Sequence, residues 1–179
     1  LKKSRQIRKG LKAVIVFMDE AGFSLHPKLG SVWAKKGSKP QVPTASNHKR
    51  LNLMGWVAPW KGWHGLVRID KGNRQSFIAF LKHLNGRLRD WTVFLYADGA
   101  SWHKGEQVKR ALEELKNIHL QYLPAYHPEQ NPQERIWKLI RYEVTTNHYF
   151  QDIDEIDYAI RCKQRQIKPK RIHQLCCVT

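Results

Sequence analysis

The 179-residue sequence has the length of one domain with a sizeable core. It contains no run of about 20 apolar residues that would span a bilayer, and its basic start is not followed by a signal-peptide apolar segment. A soluble, cytoplasmic protein without membrane contact is therefore expected. The formal net charge of +17 points to an anionic partner, since lysine and arginine release counterions when they neutralise phosphates.

The charge is unevenly spread. Residues 1–12 and 161–179 each hold six Lys/Arg and no acid, leaving 20 basic against 15 acidic residues between them. This suggests a basic N-terminal segment (1–12), a folded domain (13–160) and a basic C-terminal tail (161–179) expected to be partly disordered. Within the interior no acid occurs between Glu20 and Asp70, although Lys28, Lys35, Lys36, Lys39, Lys49, Arg50, Lys61 and Arg68 all fall there. Cys162, Cys176 and Cys177 show no paired spacing for zinc or a disulfide framework and are expected to be reduced and structurally incidental.

In chain order, Ala13 to Met18 is a continuous apolar run ending in Asp19, which reads as a buried strand. Leu51 to Val57 and Trp63 to Ile69 are β-rich and separated by Ala58 to Gly62, as in a hairpin with a short loop. Phe77, Phe80, Leu81, Leu84 and Leu88 repeat at helical spacing and predict a helix over about 74–88. Thr92 to Ala97 is a second buried strand, ending in Asp98. A helix around Val108 to Leu115, a strand at Ile118 to Leu123 and a loop to Gln130 follow. Asn131 as cap and Pro132 as first helical residue start the next helix, and another begins near Asp152. From Ile172 onward no packed element is expected. The order β-β-β-α-β-α-β-α is that of an α/β ribonuclease H-like fold, a mixed central sheet flanked by helices.

In open α/β sheets, sites lie beyond the carboxyl ends of strands. Asp19 and Asp98 each follow a buried strand, and Glu134 in the first turn of the helix after Ile118 to Leu123 can reach the same edge. Each has an ordinary explanation: a strand end for Asp19, a turn pair for Asp98-Gly99, a capping-box glutamate for Glu134. Together they fall where one fold would bring them together. Three converging carboxylates would repel unless cations intervene, and Mg²⁺ favours such oxygen ligands.

Three blocks, FMDEAGFSL (Phe17 to Leu25), LYADGASWHKG (Leu95 to Gly105) and LPAYHPEQNPQERIWKLI (Leu123 to Ile140), resemble the signature blocks of mariner-superfamily DDE transposases, and within it the bacterial insertion sequences of the six-thirty family. The resemblance covers about residues 12–150, and the third block is highly specific. It implies catalysis and metal binding by Asp19, Asp98 and Glu134, two Mg²⁺ or Mn²⁺ ions, and cleavage and strand transfer on double-stranded DNA, transposon ends and target. It also implies a homodimer in the full-length protein with its N-terminal DNA-binding region. The sequence departs from the family pattern at Ala125 and His127, and Gly99 stands where Asn is commoner. No helix-turn-helix is readable before Ala13, so the chain is expected to be a fragment or a decayed copy. A structure-specific ribonuclease H-like nuclease and a non-catalytic DNA-binding remnant are the alternative readings.

Lys35, Lys36, Lys49 and Arg50 are candidates for holding phosphates, though each also suits a solvated face. His103 and Lys104 follow the second aspartate and are candidate DNA contacts, with a surface histidine at a helix start as the simpler account of His103. Of the seven tryptophans most read as core or rim. Trp60 and Trp63 bracket the hairpin tip beside Lys61 and are the pair to test for DNA insertion.

Overall fold

The computed structural model describes residues 12–44, 48–124 and 127–176. The basic segment expected at the N-terminus lies, up to residue 11, outside the described residues, as does Cys177.

Five strands form one mixed sheet: β1 (Ala13–Ser24), β2 (Arg50–Ala58), β3 (Trp63–Ile69), β4 (Thr92–Ala97) and β5 (Ile118–Tyr122), in the order β3-β2-β1-β4-β5. β1 pairs antiparallel with β2 and parallel with β4, and β4 pairs parallel with β5. The helix α1 (Arg74–Arg87) connects β3 to β4, and α2 (Glu106–Glu114) connects β4 to β5. Parallel neighbours require such crossovers, because a tight turn only reverses a strand. The β2–β3 connection is a short helical turn, Pro59–Lys61, closed by Gly62 at φ 66°, a left-handed conformation that glycine adopts without steric cost.

β1 alternates faces along its length. Val14, Val16 and Met18 pack with Phe77, Phe80, Leu81 and Leu84 of α1 and Val108 of α2. Ala21 and Phe23 pack on the opposite face with Ile136, Trp137 and Ile140 of α3 (Pro132–Ile140) and with Ile156 and Ile160 of α4 (Ile153–Gln166). Residue parity on β1 thus decides which helical layer a side chain meets. Asp19 falls on the α3 side and Glu20 on the α1 side.

Two features differ from expectation. β1 runs six residues beyond Met18, because residues 19–24 pair with β2 out to Ser24 opposite Arg50. The C-terminal region is not a tail over 161–176: α4 continues to Gln166, and α5 (Pro169–Cys176) follows. Ile172 and Cys176 of α5 are fully buried in the α3–α4 core cluster, and the Cys176 thiol lies 3.6 Å from the Pro132 carbonyl. Cys176 is therefore a packing residue. No helix among the described residues is long and apolar enough to cross a membrane.

Candidate functional site

The sheet register places the first two carboxylates. Phe17 pairs with Tyr96 on parallel neighbours, so two residues further on Asp19 and Asp98 stand level at the carboxyl end of β4. Glu134 is brought to them by the start of α3. There Asn131, 4% exposed, caps the helix with its side-chain oxygen, which accepts from Gln133 N at 3.1 Å. Its side-chain nitrogen donates to the Met18 carbonyl at 2.9 Å, fastening the first turn of α3 to the residue before Asp19. The N-cap bond thus runs from Gln133 N to Asn131, and the charge of Glu134 acts on Asp19.

The electrostatics follow from that convergence. Burial first, then the charges of Glu134 and Glu20 and a smaller contribution from Asp98, push the Asp19 carboxyl up to about 8. Asp98 moves the other way: a hydrogen bond from His103 holds it below the usual carboxylate range, helped by the Ala100 N–H and by the charges of His103 and Lys104. Asp19, Asp98 and Glu134 offer only oxygen donors, and the charges of Glu134 and Asp98 both act to raise Asp19. That donor set suits a hard divalent cation.

His103 is the main correction to the sequence reading. It is fully buried, so its ring has no surface to offer DNA. Its Nδ1 stands 2.7 Å from Asp98 Oδ1, and its Nε2 2.8 Å from Glu20 Oε1. Burial alone would lower its pKa, but the hydrogen bonds to Asp98 and Glu20 outweigh it and raise the ring to about 9. One ligand atom each from Glu20, Asp98 and His103 lies within 4.8 Å of the others. The imidazole nevertheless stands between the two carboxylates with one nitrogen to each, which leaves none for a cation held by both. Sequence reasoning missed Glu20. Its one signal was an acid directly after Asp19 on a strand with helices on both faces, where it needs a partner.

Beyond β1, residues 26–44 cross the surface as a largely exposed strap without regular helix or strand. Its base is tied down by Asn147, whose side chain accepts from Gly30 N at 2.9 Å and donates to the Gly30 carbonyl at 3.2 Å. The rings of His26 and His48 meet at 3.1 Å where the strap leaves and rejoins the fold. Between strap and α3 lies a groove of about 810 Å³ lined by Lys28, Trp33, Glu134, Lys138, Arg141 and Tyr142, among others. Trp33 is fully exposed, and Lys35 and Lys36 extend from the same strap. Lys104, exposed beyond Asp98, sets its ammonium 5.1 Å from the Tyr122 ring.

Lys49 and Arg50 are exposed at the start of β2, and the Arg50 guanidinium occupies the space beside Gly22 on β1 where a Cβ would stand. The hairpin tip goes elsewhere. Because β2 runs antiparallel to β1, Trp60 and Lys61 emerge beside the start of β1, at the opposite end of the sheet from the carboxylates. Trp60 leans toward Phe17 with ring centres 6.3 Å apart, Lys61 sits over the Trp91 ring, and Trp63 meets Trp91 edge-on at 5.3 Å. The structure does not bring these residues to the acidic site.

A family described as DDE superfamily endonuclease matches residues 14–157. The insertion element IS630 uncharacterized 39 kDa protein of Shigella sonnei is 26% identical over 156 residues, 87% of this chain and 46% of that protein. The uncharacterized protein y4pE/y4sA of Sinorhizobium fredii is 39% identical over 105 residues, 58% of this chain and 75% of its own length. Among solved structures, the Mos1 transposase paired-end complex with left transposon end aligns with TM-score 0.72 and 18% identity over 97% of this chain and 54% of that one. The catalytic domain of Mos1 mariner transposase aligns with TM-score 0.64 and 17% identity over 97% and 80%. The chain thus spans about half the length of the insertion-element protein and of the Mos1 transposase chain in that complex. The structural likeness shows a ribonuclease H-like fold, and the match over residues 14–157 makes this chain a member of the DDE superfamily endonuclease family.

Proposed function

We propose that this chain is the catalytic domain of a DNA transposase that cleaves and joins DNA with two divalent ions, Mg²⁺ or Mn²⁺, held by Asp19, Asp98 and Glu134. What supports the reading is the register that sets Asp19 and Asp98 level on parallel strands, the first turn of α3 that carries Glu134 and is fastened through Asn131 to Met18, and an Asp19 carboxyl raised to about 8 by burial and by acidic neighbours that include Glu134 and Asp98. Solved Mos1 paired-end complexes are described with Mn and with Mg, which supports a divalent ion here. Bound at such a site, divalent ions activate a water or a DNA 3′-hydroxyl and stabilise the leaving oxygen. The protein's own part is to fix the carboxylates, exclude competing geometries and hold the phosphate backbone.

For that last task the cations around the site, the exposed lysines and the half-buried Arg141, support the reading. Lys104 flanks Asp98, Lys138 and Arg141 line the groove beside Glu134, and Lys35 and Lys36 extend along the strap. We infer that double-stranded DNA, as transposon end and target, lies along this groove, in a homodimer of the full-length protein acting in the cytoplasm. Lys49 and Arg50, exposed at the start of β2, are further candidates, although the cavity they line also holds Asp70, Asp152 and Asp154.

The test is a pre-cleaved transposon-end duplex incubated with target DNA and Mg²⁺ or Mn²⁺. The reading expects joined products that disappear with Asp98→Asn, while DNA affinity stays equal or rises because a negative charge facing phosphate is removed. Cleavage without joining would support a structure-specific nuclease of the same fold. No metal-dependent reaction at all would support a DNA-binding remnant.

A further inference from the structure

Asp98 sits just past the end of β4 with a side chain 54% exposed, a position from which a carboxylate would ordinarily sample several rotamers. It is held nonetheless. Its Oδ1 lies 2.7 Å from His103 Nδ1, which also stands 3.3 Å from the Asp98 main-chain carbonyl, and accepts from Ala100 N at 3.1 Å; among the described residues no hydrogen bond reaches Oδ2. One oxygen is saturated and the other is left open.

The group that does the holding is itself fixed on every side. The His103 ring packs 4.3 Å from the Phe77 ring of α1, and its main-chain carbonyl accepts from the Tyr122 hydroxyl at 2.8 Å. Its far nitrogen meets Glu20 at 2.8 Å, and Glu20 also accepts from Trp102 Nε1 at 3.3 Å. Glu20 belongs to β1, paired there with Met54 of β2. The loop after β4 is therefore anchored through one imidazole to the central strand of the sheet. Asp19 and Glu20 are adjacent, so the same strand supplies a site carboxylate on one face and the anchor for a second on the other.

We propose that His103, braced by Glu20, is a positioning residue for Asp98, fixing Oδ1 so that Oδ2 is presented in one orientation to a divalent cation. The proposal rests on the reading of Asp98 as a metal ligand. Partners that orient a ligating group typically contribute about 10- to 100-fold to metal affinity. The bond to Asp98 leaves from Nδ1 and the bond to Glu20 from Nε2, so the two amides that imitate histidine separate the roles. The asparagine amide nitrogen falls where Nδ1 does, and the glutamine nitrogen falls near Nε2.

The experiment is a Mn²⁺ binding isotherm on the 179-residue chain, wild type beside His103→Asn, His103→Gln and Asp98→Ala. His103→Asn is expected within about threefold of wild type and His103→Gln about tenfold weaker or worse. A merely space-filling histidine would give the reverse order, because glutamine is nearer to it in volume; that order, or equal affinities for the two variants, overturns the proposal. Should a His103 variant fail to fold, the wild-type protein still decides. The His103 Nδ1–H proton resonance should shift during a Mg²⁺ titration with the midpoint of Mg²⁺ binding, and a resonance that stays fixed while Mg²⁺ binds refutes the brace. Wild-type Mn²⁺ affinity no better than that of Asp98→Ala would instead defeat the metal-site reading, and the brace with it.

Discussion

The side-chain amide of Asn131 donates to the main-chain carbonyl of Met18 across 2.9 Å, so the turn that carries Glu134 and the strand that carries Asp19 share a buried hydrogen bond. Asn131→Ala removes both this bond and the cap on Gln133 N, leaving the Met18 carbonyl unsatisfied beneath α3. Removing a cap costs about 1 kcal/mol and orphaning a buried acceptor about 1–3 kcal/mol. A destabilisation of about 2–4 kcal/mol in urea unfolding is expected. Asn131→Asp keeps the cap acceptor, loses the donor and should fall between. Equal stabilities for the two variants would mean that the cap on Gln133 N contributes nothing, and Asn131→Asp as stable as wild type would mean that the Met18 bond contributes nothing.

Metal-free stability should fall as pH rises through neutrality. Asp19 keeps its proton in the folded state up to about 8, against 3.8 for an ordinary aspartate, so its contribution is complete below about pH 4 and is lost toward pH 8. His103, raised from 6.5 to about 9, acts in the same direction over a higher window. Asp98 is lowered, and its contribution is lost only on acidification below the usual carboxylate range. Divalent metal competes with the Asp19 proton, so the stabilisation by Mg²⁺ should grow from pH 6 to pH 8. Melting curves in EDTA and in Mg²⁺ across that range provide the check, and Asp19→Asn should flatten both trends.

Gly55 stands opposite Asp19 on β2, and the Gln133 amide and the Trp137 indole of α3 lie directly over it. A Cβ at this position would overlap both, and neither can retreat: Gln133 and Trp137 are fully buried. Gly55→Ala should therefore push α3 off the sheet, at a cost of about 1–3 kcal/mol from overpacking. Because α3 carries Glu134, the stabilisation by Mg²⁺ should shrink as well. A variant that melts like wild type, with the same metal response, would show that α3 is not seated on Gly55.

Much of this arrangement is written locally in the chain. Thr92–Ala97 and Trp63–Ile69 occupy the residues their composition predicts, since short apolar and β-branched runs bounded by turn residues leave little freedom. Asn131-Pro132 marks the start of α3 for the same reason, the cap and the first helical residue being specified by side-chain chemistry. What was not legible depends on distant partners. The extension of β1 past Asp19 requires β2 to be beside it, and α5 shows only Ile172 and Cys176 as buried positions within eight residues, too few for a period to emerge. His103 reads as a surface residue because its partner Glu20 is 83 residues away and on the face of β1 that Asp19 does not use.

The strap supplies the last prediction. Lys35 and Lys36 are exposed on a segment without helix or strand, next to the groove that ends at Glu134. Such residues reach phosphates readily, but bonds to phosphate carry no sequence information, whereas base reading needs an element seated in a groove. DNA binding by this 179-residue chain should therefore be strong at low salt and indiscriminate. Affinity should fall steeply with salt, and replacing Lys35 and Lys36 by alanine should reduce the logarithmic slope by roughly 1 for each phosphate that is no longer neutralised. Trp60→Ala, at the far end of the sheet, should leave that slope unchanged. Competition between a transposon-end duplex and a scrambled one measures the selectivity. A preference above about tenfold, or 1.4 kcal/mol, for the end sequence would show that the domain itself reads bases, and an unchanged slope for the double lysine variant would move the DNA off the strap.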